Sequence, residues 1–247
     1  MNVRAVLFDV NGTLIDIETD EWMEECYRAI SHFLTYQGIT LHRGEVRELY
    51  SKIMKEQFAA SKETYPEFDV VAVWREVLRR SSTRWTHSLS HEKLAQMPLF
   101  IAEAQRGISR KRLEAFPQTR EVLTQLKKLY HLAIVSDAQS AYGVPELRAV
   151  GLADLFDPII ISGDYGYRKP DPRLYQAALK ELQVEPEEAI FVGNDRFRDV
   201  HGARQVGMKT ILFCPNGNHG GSPEHEPDYL LYHYSDLPRA IEFFAAR

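Results

Sequence analysis

The amino-acid sequence predicts an α/β fold, in which a doubly wound parallel sheet carries an inserted all-helical cap domain. Two observations carry this prediction. Short apolar runs alternate with helical stretches over most of the 247 residues, and this alternation is typical of right-handed βαβ crossovers in a parallel sheet. A block with helical spacing and no convincing strand, residues 17–107, interrupts the alternation directly after the first apolar run.

The first strand is predicted at residues 3–8, a run rich in β-branched and aromatic side chains that Asn11 and Gly12 stop in a tight turn. Asp9 follows this strand directly. Ligands of open parallel sheets bind beyond the carboxyl ends of the strands. Asp9 therefore lies where a catalytic carboxylate would lie, although an Asp at this place can also cap the next helix.

The helical block indicates a separate apolar core. Its aromatic residues recur at helical intervals, and Trp74, Trp85 and Phe100 are therefore expected in that core. The predicted division is a core of residues 1–16 and 112–247 with a helical cap of residues 17–111. The predicted helices of the cap are residues 18–37, 43–60, 69–81 and 92–105.

Beyond the block, strands and helices alternate again, as a parallel sheet requires. The predicted strands are residues 131–135, 159–161, 189–192, 209–213 and, at the edge of the sheet, 229–231. The predicted helices are residues 119–129, 173–182 and 200–206.

Composition narrows the function classes. Lys and Arg number 30 against 35 Asp and Glu, and the formal net charge of −5 is not the electrostatic footprint of a nucleic-acid-binding protein. The basic cluster at residues 110–112 is expected on a solvated helix face. No apolar run approaches the ~20 residues that span a bilayer, and no charged-then-apolar leader is present. We expect no nucleic-acid or membrane partner, a cytoplasmic location, and reduced thiols at Cys26 and Cys214; the oligomeric state stays open.

Polar residues lie in four loops of the predicted parallel sheet. Because the carboxyl ends of parallel strands share one rim, we expect a carboxylate, a hydroxyl, a cation and an acidic cluster to meet there. Such a set suits an oxyanion-rich substrate with Mg²⁺, which takes one or two carboxylates plus substrate phosphate and water. The cation would offset the phosphate charge. The residues are Asp9 with Asn11, Ser136, Lys169, and Asn194 and Asp195 with Asp199.

These four segments, in this order and spacing, resemble the haloacid dehalogenase (HAD) superfamily of hydrolases. More narrowly, they resemble its helical-cap subgroup, which includes phosphoglycolate phosphatase-like and haloacid dehalogenase-like proteins. The most specific matches are KPDP at residues 169–172 and FVG at residues 191–193. The resemblance covers residues 9–206 and implies a Rossmann-like core.

The resemblance also implies roles for individual residues. Asp9 would be the nucleophile that forms a covalent aspartyl intermediate, and Lys169 would steady the nucleophile and the substrate charge. Ser136 and backbone N–H groups would bind the transferring group. The implied substrate-binding residues are Gly12, Thr13, Asp137 and Ala138. The implied Mg²⁺ ligands are Asp9, the backbone carbonyl of Asn11, Asn194, Asp195 and Asp199.

Two positions depart from the phosphatase pattern. The second residue after the nucleophile is usually an Asp that protonates the leaving alkoxide and later activates water. Asn11 can do neither, and the loss of a general acid/base typically costs about 10²–10⁴-fold in rate. The fourth motif usually opens with Gly-Asp, whereas here Asn194 follows the Gly, although Asp195 could supply the charge. We expect Mg²⁺ to bind weakly.

Three functions remain open from the sequence. The principal prediction is a Mg²⁺-dependent phosphatase of a small phosphorylated metabolite, acting through an aspartyl-phosphate and impaired by Asn11. The second is a hydrolase of a small 2-halo acid, in which the departing halide needs no proton. The third is a non-catalytic binding protein that keeps the fold and an anion site. An engineered Asp-to-Asn change at position 11 would also produce this sequence.

Overall fold

The computed structural model describes residues 1–217 and 225–246. In chain order the strands are β1 (Ala5–Phe8), β2 (Ile15–Thr19), β3 (Arg110–Ala115), β4 (His131–Ser136), β5 (Ile159–Ile161), β6 (Ala189–Gly193), β7 (Lys209–Phe213) and β8 (Tyr229–Leu231). The helices are α1 (Glu24–Tyr36), α2 (Arg43–Ala60), α3 (Val70–Arg80), α4 (His91–Ser109), α5 (Thr119–Leu126), α6 (Ser140–Ala149), α7 (Pro172–Leu182), α8 (Gly202–Gln205) and α9 (Leu237–Ala245).

Strand β1 lies inside a six-stranded parallel sheet of order β5-β4-β1-β6-β7-β8. Its last residue, Phe8, pairs with Ile134 on β4 and with Val192 on β6. Because the three strands run in the same direction, their carboxyl ends lie side by side at one end of the sheet. Asp9, Ser136 and the residues after β6 emerge there, and we call this end the site edge. The prediction of a central β1 flanked by these two strands is confirmed.

Helices cover both faces of the sheet. Ala5 and Leu7 of β1 point into an apolar cluster that α7 completes. Val6 and Phe8 point the other way, into a cluster that α5 and α9 complete. Every side chain of β1 is therefore buried, which explains why the strand reads as a continuous apolar run rather than as an alternating one. The predicted doubly wound arrangement is confirmed.

Helices α1 to α4 enclose a second apolar core. Trp74 is fully buried there and its ring packs 4.8 Å from that of Tyr50. The prediction that Trp85 and Phe100 also lie in this core is wrong, because their side chains are 63% and 51% exposed. Phe100 faces outward from α4, and Trp85 covers Gly38, where any side chain would collide with the indole.

Strands β2 and β3 form an antiparallel ribbon that the sequence did not predict. The assignments of residues 17–19 to a helical block and of residues 110–112 to a helix face are wrong. Arg112 pairs across the ribbon with Asp16 at 2.9 Å and with Glu18 at 3.7 Å. Ile15 and Ile17 pack on the apolar core and alternate with the charged Asp16 and Glu18, so the run carries the alternation of a half-buried strand. Both predicted domain boundaries fall inside the ribbon, and the division into core and cap remains a prediction.

Polar contacts join helices α3 and α4 to the residues that follow β4. The side chain of Gln139 accepts the N–H of Val70 at 2.9 Å and donates to the carbonyl of Phe68 at 2.7 Å. Arg106 of α4 donates to Glu146 of α6 at 2.6 Å. These contacts hold the segment before α3 against the residues that follow β4, next to the edge where Asp9 emerges.

The two cysteines match the expectation of reduced thiols, since Cys26 and Cys214 are buried and free. In the described ranges, 1–217 and 225–246, no helix has the length and apolar character needed to cross a membrane. The cytoplasmic location remains a prediction.

Candidate active site

The loop after β1 is a tight turn that begins directly after Asp9, at the carboxyl end of the strand. The carbonyl of Val10 accepts the N–H groups of Thr13 and Leu14 at 3.2 and 2.8 Å, and Gly12 donates its N–H to Ile15. Gly12 has a φ of +78°, and a side chain there would collide with Asn194. Glycine is therefore required both by the backbone and by the neighbouring loop. The N–H groups of Gly12 and Thr13, predicted to bind substrate, are used by the turn itself.

A buried charged group lies at the carboxyl ends of the central strands and consists of Asp9, Lys169 and Asp199. The Lys169 ammonium donates to Asp9 Oδ1 at 2.7 Å and to Asp199 Oδ1 at 2.6 Å. Burial alone lowers the pKa of Lys169, but the two carboxylates raise it well above the ordinary value. The ammonium therefore stays charged, and it holds the predicted nucleophile in place.

Asp199 is fully engaged by hydrogen-bond donors. Its Oδ2 accepts the backbone N–H groups of Asn194 and Asp195 at 3.0 and 2.9 Å. A side chain at Gly193 would collide with this carboxyl, so glycine lets Asp199 fold under the loop. Burial raises the pKa of Asp199 to about 6 against the lowering effect of Lys169, which leaves the carboxyl ionised at pH 7.

A single hydroxyl links Asp9 to Asn194. Thr13 Oγ1 lies 3.0 Å from Asp9 Oδ2 and 3.2 Å from Asn194 Oδ1. A further hydrogen bond fixes the backbone of Thr13, because the buried hydroxyl of Tyr234 donates to the Thr13 carbonyl at 2.8 Å. The predicted metal residues Asp9 and Asn194 are thus brought together, and Asn11 lies half-buried in the same turn.

The loop after β4 supplies a buried hydroxyl and a buried carboxyl. The Ser136 hydroxyl is buried and has no hydrogen-bond partner among residues 1–217 and 225–246. Asp137 accepts the backbone N–H of Lys169 at 2.9 Å. The N–H of Ala138, predicted to bind substrate, instead donates to Ser162 Oγ at 3.1 Å. The geometry therefore leaves Ser136, rather than Ala138, available to an anion.

Asp195 does not join the group around Asp9. Its Oδ1 accepts the backbone N–H groups of Phe197 and Arg198 at 2.9 and 2.7 Å, and its Oδ2 accepts from the Arg198 guanidinium at 2.9 Å. The expectation that Asp195 replaces the missing carboxylate is corrected by this geometry. Asp195 caps the helical turn that follows it, which is a common use of Asp before a helix.

Three further residues shape this edge and were not singled out in the sequence. Arg198 lies directly before Asp199 and contacts Asp137 and Asp195. Glu67, from the segment before α3, accepts from Ser162 at 2.9 Å. Tyr234 supports the first loop. Of these three residues, only Arg198 could have been suspected from the sequence, because it lies inside the fourth motif. Its position in the motif does not indicate the direction of its side chain.

The residues present fit Mg²⁺ only in part. The part of the chain that the structure describes holds no cluster of three or more His, Cys, Asp or Glu side chains arranged for a metal. Asp195 and Asp199 each accept three hydrogen bonds from N–H donors. Asp9 accepts one from Lys169 and one from Thr13, so its carboxylate and the Asn194 amide are the less occupied candidates. Since Mg²⁺ keeps several waters and binds through one or two carboxylates plus substrate phosphate, this set suits a weakly held ion that the substrate completes.

A family model described as haloacid dehalogenase-like hydrolase matches residues 3–207. The chain belongs to this family. The matched range contains the loops that bear Asp9, Ser136, Lys169 and Asp199, so the resemblance seen in the sequence is confirmed.

Relatives with known names carry out two kinds of chemistry. Glyceraldehyde 3-phosphate phosphatase of Pyrococcus furiosus is 34% identical over 131 residues, 53% of this chain and 54% of that protein. The chain thus spans about half the length of this relative. Pyrophosphatase PpaX of Bacillus velezensis is 28% identical over 239 residues, 95% of this chain and 94% of that protein. The crystal structure of 2-haloacid dehalogenase from Pseudomonas syringae pv. Tomato superposes with a TM-score of 0.72 and 23% identity over 98% of this chain and 99% of that one, which shows a shared fold.

Proposed function

We propose that this hydrolase is a Mg²⁺-dependent phosphatase that acts on a small phosphorylated metabolite through an aspartyl-phosphate intermediate. The observation that carries the proposal is the buried Asp9–Lys169 pair, together with the buried Ser136 hydroxyl at the end of the neighbouring strand β4. A carboxylate, an ammonium and a free hydroxyl suit an anion with several oxygens. The names of the two relatives support phosphate chemistry. The net charge of −5 favours a small-molecule substrate over nucleic acid.

The side chains divide the reaction between them. Asp9 attacks the phosphorus atom, the bond from phosphorus to the leaving oxygen breaks, and the phosphoryl group is carried on the Asp9 carboxylate. Lys169 holds that carboxylate through a 2.7 Å hydrogen bond and offsets the charge of the phosphoryl oxygens. Ser136 donates its hydrogen to one of those oxygens. Water then attacks phosphorus, which releases phosphate and restores Asp9.

Mg²⁺, held by Asp9, Asn194 and Asn11, would neutralise phosphoryl oxygens when bound. Asn194→Asp is expected to tighten Mg²⁺ binding about tenfold or more, because it adds a carboxylate beside Asp9 and affinity in such sites follows ligand charge. Isothermal titration with Mg²⁺ alone measures the change. Asn2→Asp adds the same charge at an exposed position and serves as the matched control. Equal Kd values in wild type and Asn194→Asp would contradict the proposed ligand.

Asn11→Asp is expected to raise kcat by up to about 10²-fold on alkyl phosphates, because it places a proton donor at the position where this family's phosphatases carry one. Aryl phosphates should gain less, since their leaving groups depart as stable anions. Phosphate release from both substrate types measures the difference. A uniform gain on both would show that position 11 acts on binding rather than on proton transfer.

A 2-halo acid hydrolase is the second candidate, and the absence of a carboxyl at position 11 favours it. A halide departs without a proton, so Asp9 could displace it from carbon with no acid at Asn11. Both proposals are tested by one screen of the purified protein against phosphorylated metabolites, with and without Mg²⁺, and against 2-halo acids. Phosphate release supports the first, halide release supports the second, and inertness towards every compound indicates a binding protein.

A further inference from the structure

Asp137 occupies the junction of three loops beside the nucleophile. Its Oδ1 accepts the backbone N–H of Lys169 at 2.9 Å, and the Lys169 ammonium reaches Asp9 at 2.7 Å. Its Oδ2 lies 3.7 Å from a guanidinium nitrogen of Arg198, which is beyond hydrogen-bond distance. The carboxyl is therefore fixed through Oδ1, while Oδ2 accepts no hydrogen bond from residues 1–217 or 225–246.

The second oxygen of Asp137 is buried, and no group in residues 1–217 or 225–246 donates a hydrogen bond to it. A buried carboxylate oxygen without a partner is costly, whereas a protonated carboxyl is neutral and brings its own hydrogen. Burial raises the pKa of Asp137 and the negative Asp9 adds to this rise, while Lys169 and Arg198 lower it. Glu67 is the other carboxyl of the neighbourhood, and burial raises its pKa as well.

We propose that Asp137 is the general acid of this hydrolase and delivers, from Oδ2, the proton that Asn11 cannot deliver. The inference rests on the phosphatase function proposed above. Position 11 follows β1 and position 137 follows β4, the strand next to it, so both positions border Asp9. The acid is thus placed on the neighbouring loop instead of on the nucleophile's own loop.

The proton balance of the reaction closes with this assignment. As Asp9 bonds to phosphorus and the bond to the leaving oxygen breaks, the Oδ2 proton passes to that oxygen, which departs as an alcohol. Asp137 is then a carboxylate beside the N–H of Lys169 and the Arg198 guanidinium. It takes a proton from the water that attacks the phosphorus, the bond from phosphorus to Asp9 breaks, and inorganic phosphate leaves.

Arg198 is the positioning residue for the carboxylate stage. Asp195 holds its Nε at 2.9 Å, which leaves the other end of the guanidinium directed at Asp137. The hydrogen bond between Asp195 and Arg198 keeps Asp195 away from the proposed Mg²⁺ ligands. In the proposed acid/base step the same hydrogen bond positions the Arg198 guanidinium near Asp137.

Asp137→Asn tests the assignment through the leaving group. We expect kcat to fall about 10²-fold on an alkyl phosphate that wild type hydrolyses and by less than about threefold on 4-nitrophenyl phosphate, because only the alkoxide needs the proton. Asp164→Asn makes the same chemical change at an exposed carboxyl near the end of β5 and should leave both rates unchanged. Asp137→Ser keeps an acceptor for the Lys169 N–H and should repeat the leaving-group effect if the Asn variant folds poorly.

Rescue by a relocated acid separates proton transfer from a structural role. Asn11→Asp should raise the alkyl phosphate rate by a larger factor in Asp137→Asn than in wild type, where Asp137 already delivers the proton, and equal factors in the two backgrounds would overturn the inference. Equal losses on both substrates in either Asp137 variant would overturn the inference while leaving the phosphatase proposal intact. A wild-type protein inert towards every phosphate ester would overturn both.

Discussion

Asp9→Asn is expected to lower kcat by about 10⁴- to 10⁶-fold, the range found when a residue of a covalent catalytic unit is removed. The amide is a poor nucleophile, and it no longer attracts the Lys169 ammonium, which lies 2.7 Å from Asp9 Oδ1. No covalent intermediate can then form. The loss should be the same for alkyl and aryl phosphates, because both require attack by Asp9, and it should persist when Asn11→Asp is added.

Acid quenching during turnover, followed by mass spectrometry of the peptide that contains residue 9, measures the intermediate directly. Wild type should carry one phosphoryl group there, and Asp9→Asn should carry none. Asp16→Asn is the matched control, since Asp16 is exposed on β2 and pairs with Arg112. A phosphorylated peptide elsewhere in the chain, or retained activity in Asp9→Asn, would contradict the nucleophile.

The sheet could be predicted from the sequence because its strands are buried on both faces and read as uninterrupted apolar runs. Val6 and Phe8 face one cluster while Ala5 and Leu7 face the other. The ribbon of β2 and β3 is harder to recognise, because its strands are only five and six residues long. The alternation of Ile15 and Ile17 with charged residues spans too few positions to stand out beside the helical pattern that follows.

The position of the site followed from topology, whereas the direction of each side chain did not. Asp9, Ser136 and Lys169 emerge at one edge because parallel strands end there. Asp195 stands in the same motif as Asp199, but its carboxyl caps a helical turn and binds Arg198. Asp137 was expected to bind substrate, and only the structure reveals that its second oxygen accepts no hydrogen bond from residues 1–217 and 225–246. Local hydrogen bonds within a loop decide such orientations, and residue spacing does not encode them.

Lys169→Met is expected to lower the free energy of unfolding by about 3–5 kcal/mol at pH 7, the usual cost of breaking a buried ion pair from one side. Lys169 is 2% exposed and touches two carboxylates, Asp9 at 2.7 Å and Asp199 at 2.6 Å. Its loss leaves two negative charges close together and away from water. Removing a surface partner costs only about 0–1 kcal/mol, so Lys111→Met, which breaks an exposed pair with Asp20, is the control.

The destabilisation of Lys169→Met should depend on pH. Burial already raises the pKa of Asp199 to about 6 in the presence of Lys169, and removing the ammonium raises it further. A carboxyl whose pKa is higher in the folded than in the unfolded chain makes the folded state bind more protons, so stability falls as the pH rises between those two values. Urea unfolding at pH 5 and pH 8 should therefore show a smaller loss at pH 5 for Lys169→Met and no such difference for Lys111→Met. An equal loss at both pH values would mean that the methionine costs packing alone, and that Lys169 does not lower the pKa of Asp199.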